Sequence, residues 1–141
     1  MYLNFLKLTL LFMKYAIQIN ASPYQSNSGE NAYQFVKTAL EMGHEIVRLF
    51  FYKEGVYHAF SYMTPPDDEV NPVKRWSDLA EKYQLDLVVC ISAAQRRGLL
   101  EPVEAKRQGK VESDVAEGFR VAGLGLWVEA MLSADRFLEF G

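Results

Sequence analysis

Cysteine is almost missing from this sequence: Cys90 is the only one in 141 residues. A single thiol closes no internal disulfide, which points to a reducing, cytoplasmic setting. Histidine is nearly as scarce, with His44 and His58 alone. Three such side chains fall short of the four ligands of a structural zinc site, so the reading expects no metal and no organic cofactor. An excess of positive charge is missing too. Fifteen basic and 18 acidic residues leave a net charge of -3, which gives no electrostatic footprint for direct contact with nucleic acid.

Long apolar runs are also lacking. The opening "MYLNFLKLTLLF" is broken by Lys7 and falls well short of the roughly 20 residues of a membrane span. It shows neither the basic start nor the small-residue cleavage site of a signal peptide. Met13 stands directly before a strand-like segment. Residues 1–12 are therefore read as an extension from an early start, with a hydrophobic arm that docks on a partner as the alternative, and residues 13–141 as the domain. No repeat and no low-complexity tract interrupts it.

Catalytic signatures are sparse. "GLG" at 123–125 lacks the third glycine and the later acidic residue of a dinucleotide fingerprint, and reads as a tight turn that lets helix and sheet pack closely. Neither histidine can be placed beside Cys90, so a cysteine hydrolase is not supported. Asp67, Asp68 and Glu69 follow two prolines and read as a solvated loop.

What the sequence does have is apolar mass. Half of it is hydrophobic and 13% is aromatic, enough for one core without staples. "KYAIQIN" (14–20) alternates as a strand does. A helix is expected from Ser28 to a stop at Gly43, then a strand at 44–52. An irregular stretch follows, with a short helix near Val56 to Tyr62. Asn71 and Pro72 form a helix start. "LDLVVCIS" (85–92) is an unbroken run suited to a strand covered on both faces. Pro102 opens a short helix that stops at Gly109, and 110–118 is polar and expected to be mobile. A brief strand at "FRVAG", a helix at "LGLWVEAMLSA" and a strand at "DRFLEF" end the chain. Strands alternating with helices predict one α/β domain of three layers, with a mostly parallel open sheet of about five strands.

Cys90 falls near the carboxyl end of the third strand, where ligands gather in such sheets. Two readings stand side by side. Free cysteine is often an inert, buried small hydrophobe. Alternatively it is a displayed thiolate: Ala93 and Ala94 leave space around it, and Arg96 and Arg97 bring charge that supports the thiolate form. A second cluster draws notice. Phe50, Phe51, Tyr52, Tyr57, Phe60 and Tyr62 crowd one segment, and some are expected at a subunit interface.

The blocks "FFYKEGVYHA", "VVCISAAQRRG", "GFRVAGLG" and "ADRFLEFG" resemble the DsrE/TusD family of small sulfur-relay proteins. The resemblance covers 13–141 in order and spacing. It implies a DsrE-like fold and a sulfurtransferase that carries sulfur as a persulfide on one cysteine, here Cys90. It also implies two smaller homologous partner subunits in a heterohexamer, an upstream donor protein, and a small acceptor protein with a C-terminal cysteine. One branch of the family serves tRNA wobble 2-thiouridine synthesis and the other dissimilatory sulfur oxidation; Gln95 and "KYAIQIN" resemble the second. The chemistry fits, since sulfur exchange needs one accessible thiolate and no triad. The alternatives are a scaffold subunit with a silent Cys90, or a small-ligand-binding α/β domain.

Overall fold

The computed structural model describes residues 11–141. The proposed extension therefore lies, up to residue 10, outside the described residues. Five strands form one sheet: β1 (Lys14–Ile19), β2 (Glu45–Phe51), β3 (Leu87–Cys90), β4 (Phe119–Ala122) and β5 (Arg136–Phe140). Their order is β4-β3-β2-β1-β5, and every pairing is parallel. The chain winds outward from β1 to β4 and then returns to lay β5 on the other side of β1.

That reversal distributes the helices. Helix α1 (Ser28–Glu41) joins β1 to β2, and α2 (Pro72–Tyr83) joins β2 to β3. Helix α3 (Ile91–Arg96) and α4 (Pro102–Arg107) lie between β3 and β4, and α5 (Leu124–Ser133) joins β4 to β5. Parallel crossovers keep one hand, so reversing the direction of winding moves the helix to the other face. Two adjacent residues of β2 record this. Phe51 meets Trp76 of α2 edge-on at 5.7 Å, while Phe50 stacks on Trp127 of α5 at 5.4 Å. Alternation along a strand requires opposite faces for neighbours, and both phenylalanines are fully buried.

Local chemistry sets the element ends. The Asn71 side chain accepts from the backbone N–H groups of Val73 and Lys74, each at 3.1 Å, with Pro72 at the first helical position. Gly43 takes φ +86 just past α1, as a left-handed stop demands. All four residues of β3 are buried, as its apolar run predicts for an inner strand.

The structure departs from expectation at several points. The strand at 85–92 is shorter, Leu87–Cys90, because Ile91 already begins α3, a helix the sequence reading lacks. The expected helix near 56–62 is a 3-10 helix at Lys53–Ala59. The stretch from Lys110 to Gly118 does not hang free. Ala116 N–H donates to Ala59, Ser61 N–H donates to Asp114, and Phe60 bridges Val115. Gly123 and Gly125 do not serve close packing either, since a Cβ at each would meet nothing within 4 Å. Gly123 sits at the cap of α5 on an open surface.

The aromatic segment divides between the core and the surface. Phe50 and Phe51 are in the core, Tyr52, Tyr57 and Phe60 are half-buried, and Tyr62 alone is exposed, at 67%. The 3-10 helix folds Tyr57 back onto Phe60, ring centroids 4.9 Å apart.

Candidate active site

Cys90 is the last residue of β3 and the cap residue of α3. Backbone pairing sets Phe50 beside Val88 and Cys90 beside Ala122. Val88 and Cys90 therefore point to the face of the sheet that α5 covers, at its carboxyl edge. The thiol is 1% exposed. Ala93 and Ala94 do not open space around it; both are buried in the core. Small side chains there let the first turn of α3 lie close against the sheet.

One hydroxyl reaches the sulfur. Ser92 Oγ lies 3.5 Å from Cys90 Sγ, and Ser92 itself is exposed. The pair joins a buried sulfur to the solvent side of the strand–helix junction.

The two arginines separate. Arg96 is exposed on α3. Arg97 folds back. Its Nε and Nη2 donate to Glu54 Oε1 at 3.1 and 2.5 Å, and its Nη1 donates to the Ala93 carbonyl at 3.0 Å. The hydrogen bond that Arg97 donates to Glu54 raises the Arg97 pKa first, opposed by burial, with charge at Glu54, Tyr57 and Cys90 adding to the rise in that order. The main partner of Arg97 is therefore Glu54. Neither Ser92 nor Glu54 was singled out from the sequence. Ser92 follows the cysteine by two residues, which is a visible signal; Glu54 is 43 residues from Arg97 and carries none.

The histidines do other work. His58 is 1% exposed and sits against Phe51 and Trp76. Its Nε2 lies 3.1 Å from the Ala21 carbonyl. Burial pushes its pKa down to about 4; the Ala21 hydrogen bond opposes that and the Arg75 charge adds to it. His44 Nδ1 accepts from Met13 N–H at 3.1 Å, at the start of β1. Among the described residues, Ser92 supplies the hydrogen-bonding group at Cys90, and neither histidine does. Among the same residues, no three metal-ligating side chains are placed to hold an ion, and no helix is long and apolar enough to cross a membrane.

A parallel α/β sheet with one thiol at the carboxyl end of an inner strand defines the class: a single-domain protein whose candidate chemistry rests on one sulfur. The chain belongs to the DsrE/DsrF-like family, which it matches over residues 13–140. It is 52% identical over 129 residues to a protein of Allochromatium vinosum named "Putative sulfurtransferase DsrE", covering 92% of this chain and 99% of that one. It is 40% identical over 128 residues to a protein of Vibrio vulnificus named sulfurtransferase TusD homolog, covering 91% and 98%. A crystal structure of the ychN protein from E. coli shares the fold, with a TM-score of 0.73 at 20% identity, over 92% of this chain and all of that one.

Proposed function

We propose that the protein is a sulfurtransferase subunit that carries sulfur as a persulfide on Cys90. The observation that carries this reading is the place of the only cysteine, at the carboxyl end of an inner parallel strand, in a chain 39% identical to a protein named sulfurtransferase TusD. Sulfur transfer between thiols runs through attack of one sulfur on another, and the attacking species is the thiolate. One thiol suffices, and the absence of a second in the chain keeps the outer sulfur from being resolved internally.

The family resemblance supplies the proposed partners: two smaller homologous subunits in a heterohexamer, an upstream donor and a small acceptor with a C-terminal cysteine. An uncovered apolar face supports such assembly. On α5, Leu124, Val128 and Met131 recur on one side of the helix, Leu132 lies beside them, and Phe137 of β5 adjoins Trp127; all but Trp127 are exposed. Exposed apolar residues gathered on one face mark an interaction surface. The higher identity to the DsrE protein than to the TusD homologues, 52% against 40%, favours sulfur oxidation over tRNA thiolation as the pathway. A free thiol with no disulfide partner in the chain supports a cytoplasmic location.

The burial of Cys90 favours a second reading, a scaffold subunit whose thiol is silent. Intact mass after incubation with a persulfide donor separates the two. The carrier gains one sulfur atom and Cys90→Ser does not. A folded wild type that gains none, even with its partner subunits present, leaves the scaffold.

A further inference from the structure

We propose that Ser92 is a catalytic residue of the relay, its hydroxyl donating a hydrogen bond first to the Cys90 thiolate and then to the outer sulfur of the persulfide. This rests on the carrier reading above. Ser92 Oγ stands 3.5 Å from Sγ, within reach of a hydrogen bond to sulfur. With a neutral thiol either group can donate. A thiolate has no proton, so the hydroxyl must be the donor once Cys90 ionises. Hydrogen bonds to ionised acceptors are stronger than neutral ones and favour the charged form.

The exchange step is balanced without an outside oxidant. The Cys90 thiolate attacks the outer sulfur of a donor persulfide, R–S–SH. The donor's S–S bond breaks, R–S⁻ leaves with the electron pair, and Cys90–S–SH forms. Loss of its proton to solvent gives the persulfide anion. The outer sulfur then lies about 2 Å beyond Sγ. Cys90 is buried and Ser92 is exposed, so the hydroxyl marks the side on which that sulfur meets an acceptor. Delivery reverses the attack: the outer sulfur regains its proton from solvent, an acceptor thiolate bonds to it, the S–S bond to Cys90 breaks, and Cys90 leaves as thiolate with the electron pair, again accepting a hydrogen bond from Ser92.

The test uses the full chain and its single thiol, so alkylation read by intact mass is unambiguous. Iodoacetamide rates are followed against pH for wild type, Ser92→Ala and Ser92→Thr. Ser92→Ala should raise the midpoint by about one pH unit. Below that midpoint the thiolate fraction drops about tenfold, and the higher intrinsic nucleophilicity of the more basic thiolate returns part of it, leaving alkylation about fourfold slower. Ser92→Thr should restore the wild-type profile, and melting temperatures should agree. An unchanged midpoint in Ser92→Ala removes Ser92 from the mechanism, whatever sulfur loading shows. A wild type that alkylates, shows the Ser92 dependence and yet takes up no sulfur overturns the carrier and leaves Ser92 as the group that sets the thiol. A wild-type Cys90 that never alkylates overturns both.

Discussion

Arg97 gives two of its N–H donors to a single oxygen of Glu54, at 3.1 and 2.5 Å. This ties the 3-10 helix to the C-terminal end of α3, the helix whose N-terminal cap is Cys90. Arg96, its neighbour in sequence, is exposed on the same helix. Two residues that look alike in the sequence thus have different tasks.

Arg97→Gln should therefore lower stability where Arg96→Gln does not. The pair is partly exposed, with side-chain exposures of 22% and 44%, so the loss should stay near 1 kcal/mol, a fall of a few degrees in the melting temperature. Glu54→Gln should cost about the same, and the double variant little more than either single change. Additive losses across that thermal-melt cycle would show that the ion pair contributes nothing.

His58 should impose an acid limit on folding. The unfolded chain takes up this proton near pH 6.5, the ordinary value, and the folded chain only near 4. Stability from this residue is complete above about 6.5, is lost as pH falls from there to about 4, and changes no further below. The loss should reach about 3 kcal/mol. Urea melts across that range check it, with His58→Gln as control. If the variant shows the same slope between pH 6.5 and 4, another group is responsible.

The α5 face should govern assembly without governing the fold. Leu132 is 83% exposed, so Leu132→Glu should leave the melting temperature of the isolated chain within a degree or two. Co-purification with the partner subunits should fall sharply, because a charge would be buried at the contact. Full recovery of the complex by size-exclusion chromatography would move the interface elsewhere.

Gly55 should tolerate no side chain. A Cβ there would lie 2.0 Å from the Ile19 carbonyl oxygen, where the 3-10 helix crosses the end of β1. Gly55→Ala should cost about 1–3 kcal/mol through backbone displacement. It should also speed Cys90 alkylation if the crossing helps shield the junction. A variant as stable as wild type would show that the crossing can shift freely.

The sequence by itself determined the alternation of strands and helices, the inner position of β3 and the place of Cys90 at its carboxyl end. Those features are written in residue periodicity, in the Asn71-Pro72 start and in an unbroken apolar run, all of which act over a few neighbouring residues. It also held the family blocks, because their order and spacing survive in one dimension. The tertiary structure decided what the side chains meet. The sequence reading lacked α3, since six residues beginning with isoleucine and serine show too little periodicity to be told from a turn. Phe50 and Phe51 went to opposite faces of one sheet, which the density of aromatics did not disclose. Arg97 went to Glu54, 43 residues away, because a guanidinium pairs with whichever carboxylate the fold brings within about 4 Å. Separation along the chain does not report that distance; only the folded backbone does.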